Sequence, residues 1–391
     1  MHQRHIYRKI LLLTFLAIDF LILFSDSHFI LAKTNPASNN LIYLPLLSKP
    51  YPTAPANGLL IAYSSQMTGE LKQYNVDTGA VTQLLPDHFM SEGCNKFSPD
   101  IIHPKLLYLL QNPASGDLEV KIKDLFGGNN IITLPNSYRN SCSMYWYPNG
   151  SAFAIRNLNT DVYDLLSPDG TKLTSFWGDL GWKLAFSPDG NRAVFVSPFR
   201  SNVLRFFTIL KDGNGNIIGL NQDPSDFVTV DIGDHFIADI EWSPEGTTLA
   251  ILIENNWDLE DADLLLIEPN GTVVANLTNG FNRQAGKQQN YWEIQWSPAG
   301  KNIAFWVYNL VGDTYVNPQV YVINIYTKRI IELTGDEFQT GETPAFSPDG
   351  NKLIFTAGPQ FGRTIVMCNP DGSDKISLPI ENSAFNAIFR P

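Results

Sequence analysis

The run Ala345-Phe346-Ser347-Pro348-Asp349-Gly350-Asn351-Lys352-Leu353-Ile354-Phe355 decides the fold, because the chain repeats it. Close variants are Ala185-Phe186-Ser187-Pro188-Asp189-Gly190, Glu241-Trp242-Ser243-Pro244-Glu245-Gly246 and Gln295-Trp296-Ser297-Pro298-Ala299-Gly300. Weaker copies are Lys96-Phe97-Ser98-Pro99-Asp100 and Tyr145-Trp146-Tyr147-Pro148-Asn149-Gly150, and the sequence ends in Ile388-Phe389-Arg390-Pro391. Ser-Pro-Asp-Gly reads as a type I turn: Pro presets φ at the second position and Gly takes φ > 0 at the fourth. A strand is therefore predicted on each side. An aromatic stands two residues before every turn proline: Phe97, Trp146, Phe186, Trp242, Trp296, Phe346 and Phe389. Aromatics make up only 12% of the chain, so this coincidence marks one buried structural position. The apolar runs after the turns, such as Leu106 to Leu110 and Ile303 to Val307, read as buried strands.

Spacing selects among repeat folds. The turn prolines Pro99, Pro148, Pro188, Pro244, Pro298, Pro348 and Pro391 follow one another at 40 to 56 residues, the length of a four-stranded propeller blade. Each repeat carries a second hairpin signal, such as Asp77-Thr78-Gly79, Pro168-Asp169-Gly170 or Pro370-Asp371-Gly372. The first repeat begins at Asn57-Gly58-Leu59-Leu60-Ile61, without an inner strand, and the last stops at Phe389-Arg390-Pro391, with only an inner strand. Joined, they make one blade. The predicted fold is an all-β, seven-bladed propeller over 57–391, its ring closed by pairing of the C-terminal strand with N-terminal strands.

The aromatic, the Ser-Pro-Asp-Gly turn, the apolar strand and the terminal Leu277-Thr278 and Leu333-Thr334 together resemble the WD40-like (PD40) repeat of TolB-type propellers. That resemblance implies the fold firmly and the function loosely. Such propellers serve as protein-binding platforms, as gating domains of peptidases and occasionally as enzymes.

Residues 1–32 read as a signal peptide or N-terminal anchor: Arg4, Arg8 and Lys9, an apolar run from Ile10 to Phe24, and Ala32 before Lys33. Residues 33–56, rich in Pro, Asn, Ser and Ala, read as a tether. The expected address is extracellular or the cell envelope, with membrane contact only through an uncleaved leader. The formal charge is −12, and losing the leader makes it slightly more negative. This argues against nucleic acid, which needs clustered Lys and Arg. The expected partner is a protein or a carbohydrate, and the expected state is a monomer. Cys94 and Cys142 fall on neighbouring inner strands near the same rim. They read first as two buried thiols, with a disulfide open to them in an oxidising compartment. Cys368 has no obvious partner.

The short turns lie on one face of such a ring, and the blade-joining and second-to-third-strand loops on the other. The longest predicted loops, Val230 to Ile237, Glu254 to Asp263, Thr278 to Tyr291 and Tyr308 to Gln319, place a binding site on blades four to six. The candidate ligand-binding residues there are Trp257, Trp292, Tyr291, Tyr308, Asp258, Asp234 and Asp313, since exposed aromatics among acids suit sugar stacking or a protein hot spot. Asp258, Glu260, Asp261 and Asp263 are a weak Ca2+ candidate without EF-hand spacing, and a solvated acidic loop is the preferred reading. Neither a catalytic residue nor a cofactor is expected: there is no Gly-x-Ser-x-Gly, phosphate loop or dinucleotide fingerprint. His88 and His235 fall in blade-joining loops and His103 on the opposite face, so the three read as surface or capping residues. The competing reading is a glycosidase or lyase with paired carboxylates among Asp234, Asp258, Glu293 and Asp313.

Overall fold

A computed structural model divides the chain into two units, 1–51 and 52–391. In the first, strands Leu11–Phe15, Ile18–Ser25, His28–Thr34 and Leu41–Tyr43 pair antiparallel in sequence order. Only those strands are described there. In the second unit the structure describes residues 58–390, apart from 89–93, 126–129, 177–182, 198–201, 222, 224–227, 234, 256–262, 280, 282–287, 312–313, 339 and 360–361.

The second unit is a seven-bladed propeller. Blade 1 joins the two ends of the domain: Ala384–Phe389 pairs antiparallel with Leu60–Ser65, followed outward by Leu71–Asn75 and Val81–Leu85. Closure is as the half-repeats predict, and it removes the free sheet edges of an open array. Arg390 adds a second tie, stacking its guanidinium over the Phe97 ring of blade 2 at 5.6 Å. The inner strands of blades 2 to 7 are Lys96–Phe97, Met144–Trp146, Lys183–Phe186, His235–Trp242, Gln288–Trp296 and Gly341–Phe346.

The predicted turns form as read. In Ser187-Pro188-Asp189-Gly190 the Gly190 N–H donates to the Ser187 carbonyl at 2.8 Å and the Ser187 hydroxyl to Asp189 at 2.6 Å; Ser347 to Gly350 repeats both bonds. The aromatic two residues before the proline is buried in five blades and half-buried at Phe97 and Trp146, the weaker copies. Its role is to fasten neighbours. The indole N–H groups of Trp146, Trp242 and Trp296 donate to the carbonyls of Lys96, Ala185 and Glu241, each on the preceding blade. The core is a series of inter-blade apolar clusters, one at each seam of the ring.

Three expectations need correction. Cys94 and Cys142 are joined as a disulfide, because their inner strands sit side by side with the Cα atoms 4.6 Å apart. Much of Val230 to Ile237 is strand, since Val228–Asp231 pairs as a fifth strand with Val203–Lys211 of blade 4. Tyr308 to Gln319 is a long hairpin rather than a loop, with Asn302–Val311 pairing to Thr314–Asn324. The dipeptide Gly312-Asp313 between two runs rich in Val and aromatic residues carried that hairpin signal in the sequence.

Candidate functional site

Each inner strand runs from the blade-joining face towards its turn, so positions five and three residues before the turn proline line the axis of the ring. A central cavity of about 690 Å³ is walled by inner strands of all seven blades. Its charged lining is Lys96 of blade 2, Lys183 of blade 4, Asp239 and Glu241 of blade 5, and Glu293 of blade 6.

The strands do not enter this cavity straight. Register shifts occur between Ile237 and Asp239, Trp292 and Ile294, Glu342 and Ala345, and Phe385 and Ile388. Glu293, Thr343 and Asn386, each five residues before a turn proline, have φ of 42°, 50° and 50°. A bulge re-aims the side chain it carries. Left-handed backbone at residues other than glycine costs of order 1–3 kcal/mol each, and such strain gathers where a site needs it. Three consecutive blades, 6, 7 and 1, carry it at one register position.

Electrostatics divides the lining. The Lys183 ammonium donates to Asp239 Oδ1 at 2.5 Å, and the same carboxylate accepts the backbone N–H groups of Ile240 at 2.9 Å and Ile294 at 3.0 Å. Asp239 is thus a fully engaged anion that also ties blade 4 to blades 5 and 6. Glu241 accepts the Trp296 N–H at 2.8 Å, yet burial drives its carboxyl well above the usual range. Burial raises Glu293 as well, assisted by the nearby Asp239 charge, although the side chain lines the cavity and keeps exposed surface there. Glu254, at the end of the second strand of blade 5, is pushed up by burial to about 7, partly offset by Lys183. Lys96 is lowered by burial, and Glu293, Asp239 and Glu241 oppose this only in part. The channel therefore combines one ion pair with two carboxyls and a lysine whose charged forms burial disfavours.

Of the carboxylates predicted for catalysis, the structure places Glu293 in this channel. Asp234, Trp257, Asp258, Glu260, Asp261 and Asp313 lie outside the described residues. The backbones of Tyr291, Trp292 and Tyr308 belong to strands of blade 6 rather than to loops. Asp263 is buried and accepts hydrogen bonds from Asn276 at 2.8 Å and Thr278 at 3.1 Å, so it closes a blade. His88 is a buried tie rather than a surface residue: its ring bonds Ser64 Oγ at 2.9 Å and the Gly69 carbonyl at 3.0 Å. His103 is exposed, near Asp100. Lys96, Lys183, Asp239 and Glu241 were missed. The repeat register could have found them, Lys96 and Glu241 at three residues before a turn proline and Lys183 and Asp239 at five; the residues five before are Cys94, Ser143, Lys183, Asp239, Glu293, Thr343 and Asn386, no two alike.

No family model matches the chain, and no curated protein does. Solved structures match in fold. The periplasmic gluconolactonase PpgL of Pseudomonas aeruginosa is 12% identical, with a TM-score of 0.55 over 85% of this chain and 99% of that one. A puromycin hydrolase is 13% identical, with a TM-score of 0.55 over 84% of this chain and 54% of that one. TolB of Acinetobacter baumannii is 19% identical over 87% of this chain and 81% of that one, at a TM-score of 0.45. The first two establish the propeller as this chain's fold.

Proposed function

We propose that this chain is an exported, non-catalytic binding propeller that takes a protein or glycan ligand at the blade-joining end of its central channel. The observation carrying this reading is the register position five residues before the turn proline, where strained backbone turns Glu293, Thr343 and Asn386 into one cavity beside an ion pair. Trp257 and Trp292 of blades 5 and 6 are its proposed outer contacts. Export is supported by the leader, by the Cys94–Cys142 disulfide, and by the periplasmic address in the name of the Pseudomonas aeruginosa neighbour. The test is binding of the chain from Lys33 to Pro391 to glycan arrays and cell-envelope extracts, with a turnover assay on every hit. Capture without turnover, lost in Trp257→Ala and Trp292→Ala while folding survives, is the expected result. Capture unchanged in both variants would remove the long-loop face from the reading.

A second reading has one observation in its favour. Glu241 and Glu293 are biased towards the protonated form while Asp239 is ion-paired beside them, the separation of roles that acid–base catalysis on a sugar requires. Turnover of any captured glycan that falls at least about 100-fold in Glu293→Gln would place the enzyme first.

A further inference from the structure

We propose that the channel takes a dipolar small molecule of peptide size, with its anionic group on Lys96 and its cationic group on Glu241 and Glu293; this goes beyond the protein or glycan named above and rests only on the channel being the binding site. Ring order carries the assignment. Lys183 and Asp239 belong to adjacent blades, and they meet at 2.5 Å. Lys96 stands three blades from Glu241 in one direction and three from Glu293 in the other, roughly 150° around a sevenfold ring and so across the channel. Among the described residues no carboxylate comes within 4.0 Å of the Lys96 ammonium. The lysine and the two carboxyls stand on opposite walls with no ion pair between them.

Each pole lines the cavity without a direct counter-charge, and burial disfavours its charged form until a partner arrives. A ligand with one charge of each sign supplies both partners at once. A singly charged ligand leaves one pole bare, and a neutral sugar leaves both. The free acceptor of Glu241 is the oxygen not held by Trp296, and Gln295, whose Oε1 takes the Phe346 N–H at 2.6 Å, keeps its NH2 group for a ligand carbonyl. A cavity of about 690 Å³ holds such a molecule, and an extended tripeptide reaches about 10 Å from end to end.

The test is isothermal titration of the chain from Lys33 to Pro391 with triglycine, N-acetyltriglycine, triglycinamide and cellobiose in one buffer. Triglycine is expected to bind, either cap to weaken it at least about tenfold, and cellobiose to give no heat. Lys96→Met should make triglycine and triglycinamide equivalent, and Glu241→Gln combined with Glu293→Gln should make triglycine and N-acetyltriglycine equivalent, with circular dichroism confirming that both variants fold. Capped and uncapped peptides binding alike, cellobiose binding as well as triglycine, or triglycine not binding at about 10 mM each overturn the assignment. A neutral glycan from the array whose affinity falls in Lys96→Met or Glu293→Gln would leave the channel as the site while removing the dipolar ligand. If no ligand of any class responds to these variants, the channel reading falls with it.

Discussion

Phe346 and Thr343 stand three residues apart on one inner strand. Phe346 has an aromatic counterpart in every other blade, whereas Thr343 has six counterparts around the ring, none of them threonine and no two alike. The repeated position fastens each blade to the one before it, burying rings and donating indole N–H groups to neighbouring carbonyls. The unrepeated position lines the channel in every blade but the second, on backbone that is bulged in four blades. Sevenfold architecture needs the same residue type wherever the same seam must close. A ligand is not sevenfold, so the residues that meet it must break the repeat.

The largest expected effect comes from breaking the repeat at its seam. Deleting Phe385 to Pro391 removes a whole inner strand, with Phe385 and Phe389 each 9% exposed, and bares the edge of Leu60–Ser65. Burial of two phenylalanines alone is worth about 3–6 kcal/mol, so calorimetry should show the entire ring melting earlier; an unchanged melt would deny the closing strand its role. Next is the disulfide. It closes 48 residues between the inner strands of blades 2 and 3, and replacing both cysteines by alanine should cost up to about 4 kcal/mol in urea unfolding. A midpoint that does not move would mean the seam holds without it.

Smaller is Gly190→Ala, at φ 65°, where a Cβ would strike the Tyr147 hydroxyl. The loss should be about 2 kcal/mol, against about 1 kcal/mol for Gly79→Ala, whose φ is 71° but which has nothing within 4 Å. Equal losses would show that the blade-to-blade contact contributes nothing beyond the backbone strain.

The pH dependence separates the two regions by sign. His88 is held below the ordinary histidine value by burial, despite the Gly69 carbonyl that favours its proton. The unfolded chain takes up that proton more readily, so this contribution is complete above about pH 6.5 and is lost as pH falls through the lower folded value. Glu254 runs the other way: its folded value of about 7 exceeds the unfolded one, so its contribution is present in acid and is lost as pH rises towards 7. Melting temperatures in His88→Gln and Glu254→Gln across pH 5 to 8 should flatten opposite limbs of the profile, and parallel shifts would refute the assignment. The smallest effect belongs to the channel. Glu293→Gln should change stability by no more than about 0.5 kcal/mol, because the amide keeps the shape of the carboxyl without the charge that burial disfavours. A collapse of the fold there would make this unrepeated position structural after all.

Fold and site differed in how far they could be read from the residues. A turn such as Ser347-Pro348-Asp349-Gly350 is encoded within a few residues, and its recurrence fixes strand number, blade number and the half-blade at each end, because all of these follow from local chemistry and count. Even so, the pairing of Asn302–Val311 with Thr314–Asn324 passed for a loop, because Tyr308 and Tyr315 among polar residues suggested exposure more strongly than the neighbouring Val residues suggested a strand. Register alone could say that Lys96, Lys183, Asp239, Glu241 and Glu293 point towards the axis. It could not say that Lys183 reaches Asp239 while Lys96 faces two glutamates across the channel, or that Cys94 meets Cys142. Those facts depend on where a bulge turns one residue and on Ångström-scale distances between segments far apart in the chain, and only closure of the ring sets them.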